Sequence, residues 1–340
     1  MTRMATPTDL DLAPLRLRPR LVEKPWGGRR LGDLGRNLPP NVLIGESWDV
    51  ADLDASMTTL SDPVSRVATG PHEGASLADL IALDSPALLG EARPTVGGRF
   101  PLLVKHLDAR ENLSVQVHPP AEIADRDPGV HLKTESWVVV AAESGARLLL
   151  GVADGVSADD IEAALGTPAL VPLLRAVPAR VGDVHHLSAG LIHALGAGVV
   201  VAEVQTPSDT TYRMYDWTVE YGRAERELHR AEAMASARAQ WHLNTEWVAP
   251  VSGDGLVVES DFYTIQRHRA AADDMVEVPA RRTPRVLIVV QGKLTLPTAT
   301  DPSDALGPGG VLLLPAAWAG ELALGRGIVW LDVDLVATNR

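Results

Sequence analysis

Leu113-Ser-Val-Gln-Val-His-Pro119 alternates apolar and polar side chains, and a period of two is the mark of a β-strand with two unlike faces. Ser114, Gln116 and His118 share one face, and Val115 and Val117 share the other. Short Val/Leu/Ile runs recur at 102–106, 137–141, 147–151, 199–204 and 286–290, each cut off by Gly, Pro, Asp or Asn. Strands this short and this closely spaced predict a mainly β fold of barrels or sandwiches. Two helical intervals are expected within it. One spans 157–177, opens with the capping pair Ser157 and Asp160, and is split by Gly166 and Pro172; the other, 225–240, is rich in Ala, Arg and Glu.

An internal echo suggests that the barrel occurs twice. His186-Leu-Ser-Ala-Gly-Leu-Ile-His-Ala-Leu195 is answered by Leu313-Leu-Pro-Ala-Ala-Trp-Ala-Gly-Glu-Leu322. Each follows a strand pair with a glycine turn, at Gly145 and Gly292. The alignment sets Gly320 where the first copy has His193, so the second barrel is expected to be degenerate and metal-free. The expected organisation is a tail or edge segment over 1–20, a catalytic unit over 21–240 and a supporting unit over 241–340.

Composition narrows the function. The chain has 340 residues, enough for about two compact units. Its 31 basic and 44 acidic residues give a net charge of −13, which argues against nucleic acid or an anionic membrane surface as a partner. An anionic substrate therefore needs a locally basic pocket. With no cysteine, disulfides and thiolate metal sites are excluded. No apolar run approaches the ~20 residues of a membrane span, and no signal-peptide pattern opens the sequence. A cytoplasmic address is expected.

Polar residues inside apolar strands are the remaining signal. Gln116 and His118 sit on one strand face, Glu135 starts an apolar run expected to form the neighbouring strand, and His193 interrupts another after Gly190. Together they offer two nitrogens and two oxygens. That set suits one zinc with room for a water or substrate oxygen, and it tolerates other divalent metals such as Mn, Fe or Co.

The ordered motifs Trp26-Gly-Gly, Gly45-Glu-Ser-Trp48, Lys105, Gln116-Val-His-Pro119, Lys133-Thr-Glu135, Gly190-Leu-Ile-His193, Gln205-Thr-Pro-Ser-Asp-Thr-Thr-Tyr-Arg213 and Arg226-Glu-Leu-His229 resemble the type I mannose-6-phosphate isomerases, above all their short bacterial form. The likeness runs from about residue 20 to 235. It implies a double cupin (jelly-roll) fold with a small helical insertion, and one zinc per chain on Gln116, His118, Glu135 and His193. It also places Glu203, Ser208, Asp209 and Arg213 in the active site, with Lys133 beside the metal. Pro207 and Ser136 depart from the family pattern, and neither removes a ligand.

Aldose–ketose isomerisation moves a proton between adjacent carbons through an enediol, so a general base is required. Glu203 is the leading candidate, with Asp209 and Lys133 as rivals. Arg213 is expected to stabilise the enediolate or clamp the phosphate, and Lys105 and Ser114 to contact phosphate or hydroxyl groups. Trp26 and Trp48 either line the sugar pocket or pack in the core. The adjacent His185 and His186 point to opposite strand faces, and with His131 and His229 they are treated as bystanders. Asp159 and Asp160 fit the first turn of a helix. Two other readings compete: an iron-dependent cupin oxidoreductase, against which Gln116 argues, and a non-catalytic sugar-binding cupin, which has no need of proton-transfer groups. The partner is then a small sugar phosphate, and the chain a monomer or homodimer.

Overall fold

A strand buried on one face must alternate, whereas one buried on both faces reads as a continuous apolar run. Both kinds occur in the computed structural model, which describes residues 13–95, 97–297 and 305–337. The first part of the chain forms Leu17–Arg18 (β1), Arg20–Gly28 (β2), Ile44–Val50 (β3), Arg66–Val67 (β4), Leu103–Ala109 (β5), Val115–Val117 (β6), Glu135–Ala142 (β7), Arg147–Val152 (β8), Leu174–Pro178 (β9), Val184–Leu187 (β10), His193–Leu195 (β11), Val199–Gln205 (β12) and Tyr212–Tyr215 (β13). The second part forms Gly255–Glu259 (β14), Tyr263–Ala270 (β15), Asp274–Val278 (β16), Arg285–Gln291 (β17), Leu294–Thr295 (β18), Val311–Leu314 (β19), Gly320–Leu324 (β20) and Ile328–Leu335 (β21).

In the first part, a six-stranded sheet in the order β10-β7-β12-β5-β2-β3 faces a five-stranded sheet in the order β13-β6-β11-β8-β9. Trp26, Leu107, Trp137, Leu150 and Leu195 fill the space between them. In the second part a sheet β14-β15-β21-β17-β19 is accompanied by β16-β20-β18. The larger sheets of the two parts lie against each other through Val104, Val138, Ala202 and Val204 on one side and Tyr263, Ile265, Ile288 and Val333 on the other. β12 is therefore buried on both faces: Ala202 and Val204 meet the second part, while Val201 packs into the first on the face that also carries Glu203. Burying each such valine contributes about 1.5–3 kcal/mol.

The fold is mainly β, and it revises several local expectations. Glu135 does not lie on the strand next to Gln116. β7 and β6 belong to facing sheets, and the strands hydrogen-bonded to β6 are β11, with His193 paired to Gln116, and β13. The expected 157–177 interval is helical over Ala158–Ala164 and as a 3-10 turn over Pro168–Leu173, then becomes β9. Leu174 and Val177 of β9 are buried while Arg175 and Ala176 are not, and the strand pairs with β8. The 225–240 interval is helical only over Arg230–Ala239. The helix Leu77–Leu89 was not anticipated, although its capping box, Ser76 with Asp79, repeats the pattern of Ser157 with Asp160; such a cap contributes about 1 kcal/mol.

Leu15 bridges to Leu313 and β1 pairs with β4, so the described end of the 1–20 segment lies along sheet edges; residues 1–12 fall outside the described residues. Among the described residues no helix is long and apolar enough to cross a membrane.

Candidate functional site

The turn before β11 sets the position of His193. Gly190 adopts φ +92°, and a Cβ there would stand 2.6 Å from that of Gln240, so only glycine fits. His193 then points into the interior beside His118 and Glu135, and the candidate ligand atoms of these three residues lie within 4.8 Å of one another. They are 1%, 2% and 0% exposed. His193 Nδ1 donates to Leu191 O at 2.8 Å and His118 Nδ1 donates to Thr210 O at 2.9 Å. A ring that donates from Nδ1 presents an unprotonated Nε2, and backbone acceptors of this kind commonly orient metal-binding imidazoles. The Nε2 atoms stand 3.3 Å from Glu135 Oε2 (His118) and 3.3 Å from Oε1 (His193).

His118 Nε2 and both Glu135 oxygens are buried without a well-formed hydrogen bond, though Lys133 Nζ approaches Glu135 Oε2 to 2.9 Å. Leaving such atoms buried and unsatisfied is costly. A divalent cation satisfies all of them at once, so the donor set fits a metal. The Gln116 amide borders the group, with Nε2 3.2 Å from His193 Nε2 and Oε1 accepting from Ser114 Oγ at 3.2 Å. Burial, then the neighbouring charge of Lys133, lowers the His118 pKa to about 3, keeping the ring neutral as a ligand requires.

A cleft of about 450 Å³ opens from this floor, lined by Trp26, Lys105, Ser114, Gln116, Lys133, Glu203, Asp209 and Arg213. Lys24, Glu46, Thr59, Trp137, Arg226, Glu227 and His229 also belong to its wall. Lys24, Lys105, Lys133, Arg213 and Arg226 face Glu46, Glu203, Asp209 and Glu227 there, so the cleft wall is close to charge balance in an acidic chain.

Two indoles hold its buried glutamates: Trp137 Nε1 donates to Glu203 Oε2 at 2.8 Å and Trp48 Nε1 to Glu46 Oε2 at 2.6 Å. Lys105 lies between them, 3.6 Å from Glu203 Oε1 and 3.7 Å from Glu46 Oε2, with its ammonium 4.7 Å from the Trp48 ring centre. Burial and then the charge of Glu135 raise the Glu203 pKa, against Lys105 and Lys133. Glu46 goes the other way: although burial opposes it, Lys24 and Lys105 bring its pKa down to about 2. Burial also opposes charge on Lys105, but Glu46, Glu203 and Asp209 outweigh it and raise its pKa.

Residues 15–137 match the family described as "Phosphomannose isomerase type I, catalytic domain". A mannose-6-phosphate isomerase of Streptococcus mutans is 31% identical over 297 residues, covering 83% of this chain and 87% of that protein. The chain belongs to the type I phosphomannose isomerase family. Its architecture agrees with the crystal structure of the Bacillus subtilis mannose 6-phosphate isomerase at TM-score 0.76 and 26% identity, over 94% of this chain and 99% of that one. A mannose 6-phosphate isomerase crystallised with zinc and yttrium shares the fold, with TM-score 0.68 and 19% identity over 95% of this chain and 99% of that one.

Within this type I phosphomannose isomerase chain the four expected ligands come together at the floor, and of the other expected site residues Trp26, Lys105, Ser114, Lys133, Glu203, Asp209 and Arg213 line the cleft. Trp48 and Ser208 do not line it. Trp48 supports Glu46 from behind, and Ser208 Oγ donates to His131 O, shaping the turn before Asp209. Glu46, Trp137 and His229 were not singled out as site residues. Glu46 and His229 stood in quoted motifs, whereas nothing local marks Trp137, which reaches the cleft only because β7 faces β6.

Proposed function

We propose that the cleft interconverts mannose 6-phosphate and fructose 6-phosphate by proton transfer between C1 and C2. The observation that carries this is one buried carboxylate with a raised pKa, Glu203, beside Lys105 in a cleft directly above a metal-competent donor set. A pKa moved towards neutrality lets one group both take and return a proton. Glu203 is fixed through Oε2 by the Trp137 indole, while its Oε1 has no hydrogen-bond partner, so Oε1 exchanges the proton.

Lys105 stays charged and acts as an electrostatic partner of the base. Lys133 neutralises Glu135. Asp209, which accepts from Thr58 Oγ1 at 2.8 Å, orients sugar hydroxyls. Arg213 is anchored through Nη1 on Glu227 O at 2.8 Å, and its Nε is without a partner; its planar fork suits an anionic oxygen. Gln116, His118, Glu135 and His193 would hold a zinc ion, or another divalent metal, as a Lewis acid for the two adjacent sugar oxygens. The same reading takes 21–240 as the catalytic unit and 241–340 as a supporting one. It makes a small sugar phosphate the partner, the chain a monomer or homodimer, and the cytoplasm its compartment. A purely sugar-binding role gives no reason for Glu203 beside Lys105, and an oxidative one no reason for Gln116.

The test is a coupled assay for fructose 6-phosphate formed from mannose 6-phosphate, run before chelation, after it and after zinc is restored, with one arm in D2O. Turnover that disappears and returns with metal, with solvent deuterium incorporated next to the carbonyl, is the expected result. Metal bound without turnover overturns the reading.

A further inference from the structure

His229 lies outside the expected site residues, yet it stands in the cleft wall beside Arg213 and Glu227. Two backbone contacts fix it to β13: its own N–H donates to Arg213 O at 2.9 Å, and the Arg213 N–H donates to His229 Nδ1 at 3.1 Å. A backbone N–H can only donate, so Nδ1 must be the lone-pair nitrogen, and a neutral ring then carries its proton on Nε2. This clamp also explains why 225–229 is not helical and the helix begins only at Arg230. Among the described residues no hydrogen bond engages Nε2. We propose that His229 Nε2–H donates to the phosphate of the bound sugar phosphate, an assignment that rests on the isomerase reading above.

Its position matches that end of the substrate. Arg213 is paired with Gln116, and Gln116 with His193, across neighbouring strands. His229 therefore lies a further strand spacing, about 5 Å, outward from the metal-competent floor. His118, Glu135 and His193 on the floor are buried, whereas His229 is partly exposed and Glu227 is exposed, which marks this as the mouth. The reacting carbons are C1 and C2, so the phosphate on C6 points towards the mouth. Burial, then the charge of Arg213, lowers the His229 pKa against Glu227 and Glu232, so the neutral donor form is the one present near pH 7. Arg213 brings charge to the phosphate and His229 adds direction, because a neutral imidazole offers one N–H along one line.

Two substitutions separate this role from a structural one. His229→Asn keeps an acceptor for the Arg213 N–H but has no donor reaching the cleft, whereas His229→Gln extends a donor towards the Nε2 position. A hydrogen bond to a charged group contributes about 1.5–3 kcal/mol, so His229→Asn should raise KM for mannose 6-phosphate by about 10–150-fold. Competitive inhibition by inorganic phosphate should weaken in parallel, the loss should fall on KM rather than kcat, and the thermal midpoint should not move. His229→Gln should recover part of the KM.

Ring 15N NMR of the wild-type protein should show Nδ1 unprotonated and Nε2 protonated, with the Nε2–H resonance shifting as inorganic phosphate is added. An unchanged KM in His229→Asn, or parallel losses of KM and thermal midpoint in both variants, overturns the proposal. An Nε2–H resonance that ignores phosphate does the same. A wild-type protein that binds phosphate at His229 but does not turn over mannose 6-phosphate contradicts the isomerase reading and leaves the contact standing.

Discussion

β7 pairs with β10 and β12 as β17 pairs with β19 and β21, and the registers correspond residue by residue. Glu135 stands opposite Leu187 and Gln205, and Arg285 opposite Leu314 and Asp334; Glu203 stands opposite Trp137, and Asp332 opposite Leu287. Arg285 thus occupies the place of Glu135, and Asp332 the place of Glu203. In the second part these two residues neutralise each other, with Arg285 Nη1 3.2 Å from Asp332 Oδ2. In the first part both positions are carboxylates, which repel each other and call for outside cations. His193 opens β11 where Gly320 opens β20. One strand frame supports either a reactive centre or an inert one, depending on whether its interior charges cancel within the frame.

Writing the second part's residue into the first gives the largest expected effect. His193→Gly should lose bound metal and reduce turnover by well over about 100-fold, since removing even a group that merely orients a ligand costs 10–100-fold. Metal analysis beside the coupled assay checks this, and a variant that keeps both metal and turnover breaks the comparison.

Next comes the ion pair. Arg285→Met leaves Asp332 buried without its partner and should cost about 3–5 kcal/mol in denaturant unfolding, while Arg285→Met with Asp332→Leu should recover most of it. Turnover of the folded fraction should match wild type in both. A single variant as stable as wild type would show that the pair does not hold the second part together.

The two cleft glutamates should separate on a pH axis. Glu203 works ionised and its pKa is raised from 4.5, so the acidic limb of kcat/KM should have its midpoint above 4.5. Glu46 is depressed from 4.5 to about 2. Its ionised form therefore stabilises the fold fully above 4.5, and that contribution is lost as pH falls from 4.5 towards 2. Thermal midpoints of wild type and Glu46→Gln should converge across that window, and a constant gap would contradict the assignment. The smallest effect is expected for Thr58→Val, which removes the hydrogen bond to Asp209. About 1 kcal/mol, or a several-fold drop in kcat/KM, should follow, with Thr58→Ser close to wild type.

Much of the site was legible because metal ligation needs residue types that strand interiors otherwise exclude. Gln116, His118, Glu135 and His193 stand out against their apolar neighbours for that reason. A period of two reveals which residues share a face, but not which sheet a strand joins, so the placement of Glu135 beside β6 failed and Trp137 went unnoticed. The echo that set Gly320 against His193 was readable because both copies keep the same spacing of turn and strand. Residues 174–177, now in β9, were taken as helix because the capping pair at Ser157 says where a helix starts and nothing about where it ends. His229 needed the register of β13 with β6 before its neighbours could be named.

The most direct test of the central claim, that one metal held in the first part of the chain serves the isomerisation, is titration of chelated protein with zinc while turnover of mannose 6-phosphate is followed. Turnover should rise linearly and level off at one equivalent per chain. Full turnover in the metal-free protein, or a break at two equivalents, would contradict it.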